Sequence, residues 1–448
     1  MNAFHAYDIR GIYNQDFNKD DAYKIGYHLP SLLKTNKILV GRDVRLSSPE
    51  IYENLTHGIT DAWSDVYDAG LTTTPMIYWL TAEHDFEASV MITASHNGKE
   101  YNGMKISRKG AKPVGYATGL SDLEAMLDKE IIPCTQRGKI FPFDKKEEYI
   151  QFLKQYIPKN LSKLNLSIDC SNGMAALLIK DIIGENHNYL FDTLDGSFPN
   201  HEANPLIAKN VIDLQNAVLE NNSDIGIIFD GDADRVMFVD EKGKFISPDL
   251  MIAVMGHYFI KDKESKTTVI QDIRSSKAVG EYLKKIGNVE MQTWKVGRAF
   301  ASLKLAEIDG LFGGELAGHY YFKDFFYSDS GLMAMLIILD VIAEMKENGI
   351  STSQLISEIK AYANSGEINF KIEDKQGAME AVKSHFESNE TVSKFMDFDG
   401  YRLEFEDWWF NIRPSNTEPY LRLIVEARSE KLLSEKLMAI KDILSECL

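Results

Sequence analysis

The chain has 448 residues, 44% hydrophobic and 26% charged, which is ordinary globular composition and enough for two to four domains. Lys plus Arg number 49 against 67 Asp plus Glu, a formal charge of −18, which disfavours non-specific binding to nucleic acid or to an anionic membrane. The longest apolar run, residues 332–343, is broken by Asp340, residues 1–10 lack the apolar core of a signal peptide, and three widely spaced cysteines (Cys134, Cys170, Cys447) fit a reducing compartment without disulfides; a soluble cytoplasmic protein is expected.

In chain order, strand-like runs at 37–41, 66–70 and 89–93 alternate with a helical stretch at 49–63, which predicts a mostly parallel sheet with helices on its faces. Val90, Met91 and Ile92 are too short a run for a helix and break into Thr93-Ala94-Ser95-His96-Asn97-Gly98-Lys99, so Ser95 sits in a loop at a strand end. His96 beside it and Lys105 ten positions on would bring a hydroxyl nucleophile, a proton carrier and a fixed cation together. A loop serine alone is more often a turn former.

A charged stretch at 139–148 marks the first boundary, and a new strand and turn open at 164–173. After a loop at 200–205 and a helix at 210–220, the strand 225–229 delivers Asp230-Gly231-Asp232-Ala233-Asp234-Arg235 at its carboxyl end, the usual ligand position in α/β sheets. Alternate carboxylates offer hard oxygens suited to Mg²⁺ or Ca²⁺ rather than zinc. Asp230, Asp232, Asp234 and Glu241 also take the first, third, fifth and twelfth positions of an EF-hand loop, but Arg235 stands where that loop needs glycine and the segment before it is β-like.

A hairpin-like turn at 240–244 leads to a helix at 249–260, a strand at 267–271, a helix at 276–286, the segment Trp294-Lys295-Val296-Gly297-Arg298, the loop Gly313-Gly314-Glu315-Leu316-Ala317-Gly318-His319 and a long helix at 329–348. The remainder reads as a separate α+β lid: a strand at 368–372, a helix at 375–386, an alternating strand at 401–406 with one apolar face, and an amphipathic helix at 431–447. Within it lies Arg413-Pro414-Ser415-Asn416-Thr417-Glu418-Pro419, with Arg422 beyond, a cation with small donors suited to phosphate oxygens.

Residues 93–97 with 101–105, 230–235, 313–319 and 413–419, preceded by Tyr7-Asp8-Ile9-Arg10-Gly11, resemble in order the signature loops of the α-D-phosphohexomutases, and within them the phosphomannomutase/phosphoglucomutase branch. The resemblance spans nearly the whole chain. It implies three successive α/β sheet domains plus a C-terminal α+β domain around a central cleft, with boundaries at 1–145, 146–248, 249–362 and 363–448. It implies interconversion of hexose 6-phosphate and hexose 1-phosphate, mannose first and glucose as well, through phospho-Ser95 and a hexose 1,6-bisphosphate that also serves as activator. Mg²⁺ would be held by the Ser95 phosphate with Asp230, Asp232 and Asp234. Arg10, His96, Lys105 and Arg235 would support transfer, and His319 would act as base toward the accepting hydroxyl. Glu315 would read sugar hydroxyls, Tyr7, Arg274 and Lys295 would add substrate contacts, and Arg413, Ser415, Asn416, Thr417 and Arg422 would hold the phosphate that is not reacting.

Three positions depart from the family pattern: Ala317 where a serine is common, Arg298 where a histidine is common, and Gly98-Lys99 where a proline usually follows Asn97. The first two bear on sugar choice and the third on loop stiffness. Phosphoglucosamine mutase, a metal-dependent sugar-phosphate phosphatase and a calcium-binding module stand as alternatives, and both monomer and dimer are compatible with the sequence.

Overall fold

The computed structural model describes residues 1–132, 136–261, 263–415 and 419–446. Four sheets follow one another along the chain. The first has strands in the order Ile9–Ile12, Tyr101–Arg108, Ala88–Ile92, Lys37–Arg42, Asp65–Leu71 and Ile140–Pro142, with Lys112–Pro113 beside Tyr101–Arg108. Its pairings are half parallel and half antiparallel, which corrects the expectation of a mostly parallel sheet. Residues 93–100 are too few for a crossover helix, so the strand that follows the serine loop must return antiparallel. Ser95 therefore sits near the tip of a hairpin.

The second sheet repeats this device. Ile225–Phe229 runs parallel to Leu166–Asp169 and antiparallel to Val236–Asp240, and residues 230–235 form the tip between them. Ala88–Ile92 and Ile225–Phe229 are buried at every position, which is why both read as continuous apolar runs rather than alternating ones. The third sheet is built from Val289–Trp294, Thr267–Asp272, Phe312–Gly314, Tyr320–Phe322 and Ser328–Asp329. One apolar cluster extends through these three units, from Leu39 to Ile359, and takes in most of the helix Gly331–Glu347. That helix is apolar nearly all round because it is surrounded. Its first residue has no room for a side chain, since a Cβ on Gly331 would lie 2.8 Å from the carbonyl of Ala233, so the helix start buttresses the 230–235 tip.

The fourth sheet, centred on Trp408–Pro414 and Leu421–Ala427, has its own core with helices Lys375–Asn389 and Glu430–Ser445. The strand Tyr401–Glu404 differs from expectation in having both faces covered. Arg402 is buried, donating Nη1 to the carbonyls of Ile273 (2.7 Å) and Ser275 (2.6 Å), with its guanidinium 3.7 Å from the Trp409 ring centre. A buried arginine satisfied by carbonyls has the same sequence pattern as one facing water. No helix among the described residues is long and apolar enough to cross a membrane. Cys170 is buried and unpaired, while Cys134 and Cys447 lie outside the described residues.

Candidate active site

Ser95 is 1% exposed and holds a backbone φ of +51°, a left-handed conformation that costs a non-glycine residue about 1–2 kcal/mol. In that conformation its amide donates to Oγ1 of Thr93 at 2.9 Å and its hydroxyl donates to Oδ2 of Asp230 at 2.8 Å. The two hairpin tips thus meet at these two residues. Gly231 is required by the approach, because a Cβ there would come within 2.5 Å of the Ser95 carbonyl. Arg10 donates to Oδ1 of Asn97 at 2.8 Å and pairs with Asp8. His96 is held well below the usual histidine range by burial and by the charges of Arg235, Arg10 and Lys105, so its ring is neutral; Nδ1 has no partner among the described residues.

Asp230, Asp232 and Asp234 are all buried, with carboxylate oxygens within 4.8 Å of one another. Lys105 donates to Oδ2 of Asp232 at 2.7 Å and to Oδ2 of Asp234 at 2.5 Å, and the hydroxyl of Thr74 donates to Oδ2 of Asp232 at 2.5 Å. Burial, with repulsion from Asp234 and Asp232, pushes Asp230 well above the usual carboxylate range. Against burial, which raises it, Lys105 and His319 hold Asp234 below that range. The Oδ1 atoms of Asp232 and Asp234 are buried without a hydrogen-bond partner among the described residues. Bare, hard oxygens in an acidic cluster that one lysine does not neutralise fit a divalent cation. The EF-hand reading fails here: residues 236–240 are a strand, and Glu241 accepts from the amide of Ser353 at 2.9 Å and its hydroxyl at 2.5 Å instead of closing on the aspartates.

Nε of Arg235 donates to Nε2 of His319 at 2.9 Å, so the proton on that ring sits on Nδ1, 2.7 Å from Oδ2 of Asp329. The ring nitrogen left without a proton is engaged by a guanidinium, and the ring is placed to hold Arg235 beside Asp230, whose Oδ1 accepts from the Arg235 amide at 3.2 Å. Arg298 does not bring a free charge to the sugar. It donates to Asp329 at 3.1 Å and to the Ala111 carbonyl at 2.8 Å, and lies 3.5 Å over the ring of Tyr78, joining the third unit to the first.

Glu315 opens a tight turn closed by its amide donating to the His319 carbonyl at 2.9 Å. Its carboxylate accepts from the Tyr321 hydroxyl at 2.6 Å and the Gly297 amide at 3.1 Å, and burial, outweighing His319, keeps it above the usual range. Arg274 pairs with Asp272 at 2.7 Å and lies 3.8 Å from Glu315. Tyr7 donates to the Val296 carbonyl at 3.2 Å, and Lys295 lies over the Phe300 ring. Burial and then the neighbouring Arg274 charge lower the pKa of Arg413, whose Nε has no hydrogen-bond partner among the described residues and whose Nη1 is 3.7 Å from Asp399. A buried guanidinium with donors that have no hydrogen-bond partner among the described residues suits an anion. Arg422 faces Arg413 across the ladder and pairs with Glu367 at 3.0 Å. The Ser415 amide donates to the Tyr420 carbonyl at 2.8 Å, and Asn416 and Thr417 lie outside the described residues. Sequence reasoning missed Arg45, Thr74, Asp272, Asp329 and Asp399, the residues that hold the site in place. Asp399 accepts from the Val296 amide at 2.9 Å and so ties the fourth sheet to the third.

Family models described as phosphoglucomutase/phosphomannomutase alpha/beta/alpha domains I, II and III match residues 1–130, 147–243 and 247–362, and that of the C-terminal domain matches 367–443. A phosphomannomutase of Methanocaldococcus jannaschii is 35% identical over 99% of this chain and 98% of its own. One from Escherichia coli K12 is 35% identical over 97% of each. The crystal structure of a phosphoglucomutase/phosphomannomutase family protein from Burkholderia thailandensis superposes with a TM-score of 0.88 at 26% identity, covering 100% of this chain and 97% of that one.

Proposed function

The chain belongs to the phosphoglucomutase/phosphomannomutase family of α-D-phosphohexomutases, and from that premise we propose that it interconverts mannose 6-phosphate and mannose 1-phosphate and accepts the glucose phosphates. The carrying observation is the Ser95 hydroxyl 2.8 Å from Asp230 in a buried aspartate cluster; the buried Arg413 guanidinium, with donors lacking a hydrogen-bond partner among the described residues, supports a second anion site. A phosphatase needs only the first site, whereas a mutase must hold a phosphate that is not reacting.

In this reading the phosphoryl group of phospho-Ser95 passes to a hydroxyl of the hexose phosphate. The Oγ–P bond breaks, a sugar O–P bond forms, and the hydroxyl proton ends on Ser95. The 1,6-bisphosphate turns round, and the other phosphoryl returns to Ser95; added bisphosphate primes unphosphorylated enzyme. Asp230, Asp232 and Asp234 with the Ser95 phosphate hold Mg²⁺, which when bound neutralises charge on the transferring group. Arg10, Lys105 and Arg235 add fixed positive charge, with neutral His96 alongside. Glu315 accepts from sugar hydroxyls; Tyr7, Arg274, Lys295, Arg413, Ser415 and Arg422 serve the sugar and the far phosphate, a role proposed also for Asn416 and Thr417, which lie outside the described residues. We divide the chain at 1–145, 146–248, 249–362 and 363–448, which keeps each sheet within one unit, and assign it to the cytoplasm, where the buried thiol of Cys170 stays reduced.

Peptide mass analysis of purified protein is expected to find phosphate on Ser95, and labelled mannose 1-phosphate to become mannose 6-phosphate with negligible free phosphate. No phosphoserine even after incubation with glucose 1,6-bisphosphate would overturn the mechanism. Phosphate release at a comparable rate would make the protein a phosphatase, and glucosamine 1-phosphate as best substrate would move it to another branch.

A further inference from the structure

The serine loop is gripped from behind by one side chain. Arg45, fully buried, uses all five of its N–H donors. Nε donates to Oδ2 of Asp43 at 3.1 Å, Nη1 to the carbonyls of Gly98 (2.6 Å) and Tyr101 (3.1 Å), and Nη2 to those of Ser95 (2.8 Å) and Asn97 (2.7 Å). On the second unit's side, the guanidinium carbon lies 5.0 Å from the Phe198 ring centre, and the Arg45 backbone bridges to Gly196.

We propose that Arg45 is the positioning residue that holds Ser95 in its left-handed, Asp230-facing conformation; this rests on Ser95 being the phosphoryl carrier. Four carbonyl dipoles aimed at one point repel one another unless a cation sits between them. The loop's own restraints are few, the Ser95 amide to Oγ1 of Thr93 and the Asn97 amide to the Ala94 carbonyl at 3.1 Å; Gly98 follows Asn97 with no proline ring, and the φ of Ser95 is uphill. Only a planar fork reaches all the acceptors at once; a lysine offers three donors at a single point. Sealed from solvent, Arg45 does not touch the substrate; it holds the loop, and its Phe198 contact ties the carrier serine to the second unit.

The test is Arg45→Lys, with Asp43→Asn as a milder variant that leaves the guanidinium but frees its Nε. Folded Arg45→Lys should lose about 10–100-fold in kcat, the scale of an ångström-sized misplacement, with KM for mannose 1-phosphate within about threefold. Deuterium uptake should quicken in peptides spanning 93–101 and not elsewhere, an effect a merely structural role would not confine to this loop. Asp43→Asn should shift both readouts in the same direction by less, and stands in if the lysine variant does not fold. Wild-type kcat in a folded variant, or faster exchange spread over the whole chain, overturns the proposal. Were the unmodified protein to show no mutase turnover, the functional reading would fail while the exchange comparison still decided the role of Arg45.

Discussion

Oγ of Ser95 and Oδ2 of Asp230, 135 positions apart in sequence, lie 2.8 Å from each other because two hairpin tips meet with only a glycine between them. The contact depends on Gly231. In Gly231→Ala the new methyl would start 2.5 Å from the Ser95 carbonyl, so one tip must retreat. Overpacking of this kind costs about 1–3 kcal/mol. We expect a loss of that size in urea unfolding together with a kcat about hundredfold lower. A stability loss with unchanged kcat would show that the spacing of the tips does not matter to turnover.

Lys105 is the positive charge in direct contact with two of the three aspartates, and despite burial their proximity holds its amine well above the usual lysine range. Removing one partner of a buried ion pair typically costs about 3–5 kcal/mol. Lys105→Met should therefore melt much lower than the parent protein in EDTA. It should also gain more than the parent from millimolar Mg²⁺, since a ligand that binds only the folded state stabilises it in proportion to its affinity, and the unneutralised cluster attracts the ion more strongly. Equal gains in the two proteins would mean that Lys105 does not share the metal's carboxylates.

Glu426 joins the third and fourth units. It accepts from the Ser276 hydroxyl at 2.6 Å, from Nε1 of Trp409 at 2.8 Å and from Asn364 at 2.7 Å, while burial, reinforced by the charge of Asp249, pushes it from 4.5 up to about 7. A carboxyl whose folded pKa lies above its unfolded value favours the folded state when protonated. Its contribution is complete below about pH 4.5 and is lost as pH rises to about 7. The shift corresponds to roughly 3 kcal/mol at most. Denaturation of the parent and of Glu426→Gln across that window should show the variant lacking this decline. Parallel pH profiles would remove Glu426 from the account.

Much of this was legible because the two strands that deliver the chemistry are buried on both faces, so Val90-Met91-Ile92 and Ile225–Phe229 read as unbroken apolar runs ending in polar residues. The acidic tip and the Arg413 loop were legible as residue types with an evident chemical use. The arginines that brace the site were not. Arg45 and Arg402 look like surface charges in sequence, and Arg298 reads as a charge bearing on sugar choice, yet each is held by main-chain carbonyls; the Ala111 oxygen that receives Arg298 is 187 positions away. Nor could sequence show that Nε2 of His319 faces Arg235, since only the fold brings those two loops together.

In the proposed function, sugar choice falls to the turn of residues 315–319. Its backbone is fixed independently of residue 317: the Glu315 amide donates to His319, the Leu316 amide donates to Oδ2 of Asp272 at 2.9 Å, and Gly318 takes a φ of +84° that only glycine adopts readily. Ala317 is half-buried, so a hydroxyl can be added without moving the turn. A hydrogen-bonding site rejects a wrong sugar mainly by leaving its own buried polar groups unpaired, and a methyl has none to leave, which is why mannose and glucose phosphates should both be accepted by the parent protein. Arg298 is tied down elsewhere, with Nε on Asp329 and Nη2 on the Ala111 carbonyl and the Ser328 hydroxyl. Ala317→Ser should therefore change the ratio of kcat/KM for mannose 1-phosphate to that for glucose 1-phosphate by about 1–3 kcal/mol of differential transition-state binding. The two ratios measured side by side decide it: a ratio unchanged within twofold would mean that position 317 does not touch the sugar, and that discrimination rests with Glu315 and its neighbours.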